Sequence, residues 1–555
     1  MGSGEESGDD DDEVLIEGQS AAIEVPDHLV QGLWGRFFPF GFCYELKHLI
    51  RLAAPISLTT LISFLFGPIS AIFCGQYNKD ALATVGLAVS VFNVTGMAVA
   101  TGVLTACDTL FAQTYGSKHR YRMGIQLQRA IIIMTLICLP CWAVHLCIEP
   151  ILLGLKQNPL IAKSVDAWGS AISQSISYLL QPVAYIIYLL VSKLYKETWE
   201  GYRPEIWLDW GKWFRLAIPG LLMVGLEWWI FEIGSLVAGA LGEIELGSQT
   251  IIFQLESLAF TLLPFGFGIA TSIRVGHFLG ARSAIGPKST TNVALITGCL
   301  FSSGSFKITS LFVLHFCRVS VVHLYPVFRL PQTLPSSHIF TGSVSVLMTT
   351  STYAYSEIIE LTSSILPILA CFQIFDATVG ICSGVLRGTG LQIAGAMVCL
   401  VGLYCIGLPL GLVFIFVLNL GLSGLWWGLT IGTFTQAAIY FTICMRMNWS
   451  KQVANAIKRT AIGEQMDEEE TPLLHNNPAV SIRRDQNCLV VKRVVLALGF
   501  LAPFIASLCC RQLLKWSDYF GAFCVFPNGT SIPFQMPDAD GRQPLLPPDC
   551  TYVIP

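Results

Sequence analysis

The chain has 555 residues, 53% of them hydrophobic and only 13% charged, with a mean hydropathy of +0.61. Soluble domains carry about 25% charged residues, so the composition is that of a polytopic membrane protein. The net charge of −4 owes much to one acidic run, Glu5 to Glu13, and the lack of a basic domain excludes a nucleic-acid partner.

Residues 1–46 read as an acidic tail followed by an amphipathic lead-in. Trp34, Phe37, Phe38, Phe40 and Phe42 either lie in the membrane interface or form a loop before the first span. The acidic start is the wrong composition for a signal peptide, so the first span is expected to act as its own signal. A span needs about 20 apolar residues. That window predicts eleven spans, near 51–74, 84–112, 125–148, 168–192, 213–239, 247–273, 291–316, 360–386, 392–418, 422–446 and 492–514. The seventh is weakened by Lys307.

Basic residues fall after the even-numbered spans. Lys118, Arg120 and Arg122 follow the second, Lys193 and Lys196 the fourth, Arg282 and Lys288 the sixth, and Arg446, Lys451, Lys458 and Arg459 the tenth. The positive-inside rule then places those exits and the N-terminus in the cytoplasm, and the C-terminus outside. The Asn528-Gly-Thr sequon on the last tail is a glycosylation candidate consistent with that side, whereas Asn93-Val-Thr lies within a span. Residues 451–490 form a polar cytoplasmic linker. Its acidic run Asp467 to Glu470 before Leu473-Leu474 is either a sorting signal or a solvated charge run. The 18 cysteines, many within apolar runs, present no secreted disulfide framework.

The sequence repeats itself. Arg51-Leu52-Ala53-Ala54-Pro55 opens the first span and Arg215-Leu216-Ala217-Ile218-Pro219 the fifth, 164 positions later. The same offset relates Gly75 to Gly239, Gly102 to Gly266, Ala106 to Ala270 and Gly116 to Gly280. Two homologous helical bundles follow, the construction of transporters that rock one repeat against the other. The first bundle, 47–200, holds about four spans and the second, 201–450, six; an extra span and an outer tail occupy 491–555.

Acids lie inside these spans. An ionised carboxylate in hydrocarbon costs about 2.5–3.5 kcal/mol even on lenient scales, so Glu227, Glu232, Glu256 and Asp376 are expected to face a bundle interior and handle protons or cations. Glu227 and Glu232 are separated by about 500° of helical rotation, so they do not share one face. Trp228, Trp229 and Phe231 offer aromatic faces to a cation, though Trp228 and Trp229 read equally as interface or lipid packing. Asn93 is the polar candidate from the first bundle, while Asp108 and Arg274 read as structural groups near span ends. No Walker A sequence, zinc-protease helix or nucleophile elbow appears, so neither an enzyme nor a cofactor is expected.

Several stretches together resemble the vertebrate-type multidrug and toxin extrusion (MATE) family. They are Ala106-Cys107-Asp108-Thr109-Leu110, Gln113-Thr114-Tyr115-Gly116-Ser117, Glu227-Trp228-Trp229, Arg274-Val275-Gly276 and Gly384-Val385-Leu386-Arg387-Gly388-Thr389-Gly390. The resemblance implies an all-α membrane protein of two V-arranged bundles plus one extra C-terminal helix. It implies exchange of organic cations and xenobiotics for protons at the plasma membrane, with the four acids, Trp228 and Asn93 at the site. It also implies that the first bundle lacks two spans after Lys156, and that 303–353 is foreign to the family. These departures motivate an alternative: a non-transporting variant that regulates or associates with a full-length relative.

Overall fold

The computed structural model describes residues 41–77, 88–117, 120–154, 186–199, 201–202, 204–207, 210–298, 300, 352–460, 479–514, 519, 522–525, 531–534 and 551–553. The membrane body is all α-helical. Its first half contains α1 (Phe42–Tyr77), α2 (Ala88–Tyr115), α3 (Arg122–Leu146), the short α4 (Ile148–Gly154) and a helical stretch at 186–192. The second half contains α5 (Trp210–Leu241), α6 (Glu243–Phe260), α7 (Gly266–Gly280), a helix over 285–298, α8 (Thr352–Thr389), α9 (Gln392–Phe416) and α10 (Gly421–Met445). The strongly amphipathic α11 (Trp449–Thr460) and the long α12 (Ala479–Leu513) complete the helices.

Eight of these helices are long and apolar enough to cross a membrane. They correspond to the expected spans near 51–74, 84–112, 125–148, 213–239, 360–386, 392–418, 422–446 and 492–514. The expected span at 247–273 falls on α6 and α7, which run on through a π-helical turn, Thr261–Phe265. Only 186–192 of the span at 168–192, and 291–298 and 300 of that at 291–316, lie within the described residues. The stretches 1–40 and 461–478, Asn528, the gap after Lys156 and most of 303–353 lie outside them.

The halves are joined by contacts that repeat with the sequence offset. A Cβ at Gly102 on α2 would meet the Leu221 Cα of α5 at 2.6 Å, and one at Gly266 on α7 would overlap the Ser57 side chain of α1. Residues 102 and 266, like 57 and 221, are 164 apart, so the two contacts are equivalents about a pseudo-two-fold. The pair recurs one level on, where Gly116 abuts the His277 carbonyl and Gly280 the Gln113 carbonyl. At Gly102, Gly116 and Gly280 backbone packs on backbone, and a side chain there has no room. The second helix of each half thus packs on the other half, and each carries a π turn, Asn93–Met97 in one and Thr261–Phe265 in the other.

The same end of the molecule is closed by polar contacts. Arg274 donates to both oxygens of Glu45 at 2.9 and 3.0 Å, and Thr290 donates to Glu45 Oε1 at 2.6 Å. Glu45 opens α1, so this pair pins the first half to α7 and the helix after it. Arg459 on α11 donates to the carbonyl of Thr389 at 2.8 Å, and Arg122 on α3 donates to that of Thr460 at 2.9 Å. The amphipathic helix therefore bridges both halves. The extra helix α12 packs on α3, its Leu496 and Phe500 resting on the core formed by α2, α3 and the start of α5.

Beyond α12 the chain forms a three-stranded antiparallel sheet, β1 (Ala522–Val525), β2 (Ser531–Phe534) and β3 (Thr551–Val553), in the order β2-β1-β3. Cys524 in β1 is disulfide-bonded, and Phe523 packs against Ile148, Leu152 and Leu153 of α4. Neither the strands nor the disulfide stands out in the sequence. Three- and four-residue strands carry too little periodicity to stand out from an irregular tail.

Candidate functional site

The site is assembled from α5, α8 and α10, with α2 closing it from the first half. On α5, Met223, Val224, Glu227 and Trp228 form a stripe at helical spacing and line a cavity of about 20 Å³. On α8, Gly380, Ser383 and Arg387 line the opposite wall. Thr101 enters from α2, Phe260 from the end of α6 and Phe265 from the π turn that follows it. A cavity of this size has room for about one water molecule.

Glu227 accepts a 2.9 Å hydrogen bond from Gln436 Nε2 of α10. Asp376 extends the α8 stripe by one turn beyond Gly380, which puts it in a row with Ser383 and Arg387. Its Oδ2 is buried and has no hydrogen-bond partner among the described residues. Glu256 on α6 is 4% exposed, and Asp376 lies within electrostatic reach of both Glu256 and Glu227. Gln373 Nε2 donates to the Glu256 carbonyl at 3.2 Å and so ties α6 to α8. Three of the four expected acids are therefore brought together.

The fourth is held elsewhere. Glu232 accepts a 2.5 Å hydrogen bond from Ser90 of α2, across the boundary between the halves. The helical rotation expected between Glu227 and Glu232 has this consequence. Asn93 begins the π turn of α2, and Thr101, two turns further on, is the α2 residue that lines the cavity. Of the three aromatics, only Trp228 lines it. Trp229 donates to the Val94 carbonyl at 3.3 Å, and Phe231 packs on Phe253 and Phe372 in the core. Phe260, Phe265, Ser383 and Gln436 were not singled out in the sequence, because nothing in a local window distinguishes them from other span residues.

Asp108 and Arg274, read as structural, are both in ion pairs. Arg274 holds Glu45 at the closed end, and Asp108 on α2 lies 3.9 Å from Arg387 Nε. Among the described residues no cluster of His, Cys, Asp and Glu is arranged to hold a metal.

Two homologous helical bundles, joined over a cavity with the intramembrane acid Glu227 in its wall, are the construction of a membrane transporter. The comparisons with known proteins agree. The MatE family profile matches residues 55–193 and 219–320, and the two matches begin at Pro55 and Pro219, 164 positions apart. The second match reaches into 303–353, further than the motifs alone extend. The chain is 34% identical to multidrug and toxin extrusion protein 2 of Mus musculus, covering 77% of this chain and 79% of that protein. It is 32% identical to multidrug and toxin extrusion protein 1 of Homo sapiens (75% and 77%) and 31% identical to that of Danio rerio (76% and 76%).

Among solved structures, the fold is similar to the eukaryotic MATE transporter AtDTX14, with a TM-score of 0.65 at 24% identity, covering 76% of this chain and all of that one. It is also similar to a mutant of the Vibrio cholerae MATE transporter VcmN, with a TM-score of 0.55 at 14% identity, covering 75% and 98%. The chain belongs to the multidrug and toxin extrusion family, whose members are transporters and not enzymes.

Proposed function

We propose that this chain is a secondary antiporter that exports organic cations and xenobiotics in exchange for protons across the plasma membrane. The observation that carries the reading is the convergence of Glu227, Glu256 and Asp376 in one buried region, with Glu227 and the Trp228 ring on the cavity. Closely spaced carboxyls in a low-dielectric site do not all hold charge without a counter-charge. A proton or a substrate cation supplies it, and the competition between them couples the two fluxes. Trp228 adds a cation–π face for an ammonium-type substrate. Glu232 and Asn93 lie on the path between the halves.

The basic end closed by Arg122, Arg274 and Arg459 is assigned to the cytoplasm. The N-terminus then lies inside and the C-terminal sheet outside, where disulfides form and persist; Cys524 supports that side. The domains follow as an acidic tail (1–46), two bundles (47–200 and 201–450), a linker (451–490) and an outer module (491–555).

The test is uptake of a fluorescent organic cation into proteoliposomes holding the full chain. An outwardly directed proton gradient drives uptake, and Glu227→Gln abolishes it. Uptake by Glu227→Gln at the wild-type rate contradicts the site. A wild-type chain that moves no cation under any gradient contradicts the transport reading and favours a non-transporting partner of a full-length relative.

A further inference from the structure

Among the described residues, Arg387 and Glu227 are the charged members of the cavity wall. Arg387 is 6% exposed, and a buried guanidinium needs a counter-charge. Its Nε makes no hydrogen bond among the described residues, and the nearest carboxylate to that atom is Asp108 Oδ2, at 3.9 Å. The distance is at the edge of an ion pair rather than that of a well-formed one. Glu227 lines the same cavity and lies within electrostatic reach of Arg387.

The two candidate partners belong to different halves, Asp108 to α2 and Glu227 to α5. The backbone at Arg387, by contrast, is clamped to α2. Thr109 Oγ1 donates to the Arg387 carbonyl at 2.5 Å and Gln113 Nε2 to that of Gly388 at 2.9 Å. Gln392 Nε2 reinforces the clamp by donating to Thr109 Oγ1 at 2.7 Å. With its main chain fixed, Arg387 has its side chain as the mobile part.

We propose that Arg387 is a resident counter-ion that passes between Glu227 in one half and Asp108 in the other as the site empties and fills. The proposal rests on the reading of Glu227 as the carboxyl that trades a proton for a cation. When Glu227 holds a proton or a substrate cation, it has no need of Arg387, and the guanidinium engages Asp108 and adds an ionic tie between the halves. When Glu227 is empty and ionised, Arg387 turns to it and the tie to Asp108 is lost. Occupancy of the site is thereby reported at the boundary between the bundles. Among the described residues, the other titratable groups facing Glu227 are Asp376 on α8, Cys399 on α9 and Tyr440 on α10, with Glu256 beyond Asp376 on α6. None of these is a cation, so Arg387 has no substitute among them. Arg387 is in this sense a positioning residue for the exchange.

The test compares two modes in proteoliposomes of the full chain: exchange of labelled for unlabelled cation at equal pH, and accumulation driven by a proton gradient. Arg387→Gln is expected to lose gradient-driven accumulation by at least tenfold more than it loses exchange. Arg387→Lys keeps the charge and restores most of the accumulation. Asp108→Asn, at a partly exposed position, gives the same selective loss and serves where Arg387→Gln does not fold. Unchanged accumulation in Arg387→Gln or Asp108→Asn overturns the proposal, as does an equal loss of both modes, which marks a merely structural role. A wild-type chain that exchanges cation but ignores the proton gradient overturns the coupling reading beneath it and the proposal with it.

Discussion

The Glu45–Arg274 pair makes a quantitative prediction about the closed end. Glu45→Gln keeps the side-chain shape but removes the charge that accepts two guanidinium bonds at 2.9 and 3.0 Å and the Thr290 bond at 2.6 Å. The side chains of Arg274 and Glu45 are only 13% and 7% exposed, so solvent replaces little of what is lost. Removing one partner of a buried pair costs about 3–5 kcal/mol. The Arg274 contact with the Phe278 ring, 4.4 Å from guanidinium carbon to centroid, lies within α7, is common to both proteins and cancels from the comparison. The lower end of that range, about 3 kcal/mol, moves the closed-to-open equilibrium by roughly two orders of magnitude. Spin labels at the exposed positions Leu127 on α3 and Ile393 on α9 report the separation of the halves. In detergent or nanodiscs, the long-distance population relative to the short one rises about a hundredfold in Glu45→Gln. A change of less than about threefold refutes the reasoning that this pair holds the end shut.

The glycine contacts predict that Gly116→Val and Gly280→Val behave alike, because each added side chain meets a carbonyl of the other half. Both should lose about 1–3 kcal/mol of closed-state stability, read with the same spin labels. Arg459→Ala removes the hydrogen bonds to Thr389 and Gly390. Hydrogen exchange in α11 should rise by about tenfold or more while α10 stays protected. Cys524→Ser removes a cross-link expected to contribute about 2–4 kcal/mol to the tail sheet. The tail should then be cleaved faster by protease added to intact cells, with transport retained; equal cleavage in both proteins counts against the cross-link.

The bundle plan was legible because repeat and hydropathy are properties of long windows. A constant offset over two helices survives any uncertainty in span ends, and the contacts between Gly102 and Leu221 and between Gly266 and Ser57 are its three-dimensional image. The divergence of Glu227 from Glu232 was legible too, since helix rotation alone fixes it. The meeting of Glu227 with Asp376 was not, because it depends on how α5, α6 and α8 pack across more than a hundred residues. Arg387 and Glu45 show the sharper limit. Each sits near a span end, where basic and acidic residues are common, and only tertiary packing makes one a cavity wall and the other a buried latch. The same applies to Trp228 and Trp229, adjacent in sequence but facing the cavity and the neighbouring half respectively.

On the proposed reading, Glu227 exchanges a proton for an organic cation in this chain. The measurement that tests it most directly is the proton movement that accompanies cation transport, recorded with a pH dye inside proteoliposomes of wild-type protein and of Glu227→Gln. The account predicts that adding cation outside an unenergised wild-type vesicle drives protons out in a saturable manner, and that Glu227→Gln shows neither flux. Cation entry without proton movement in the wild type, or coupled movement that persists in Glu227→Gln, contradicts it.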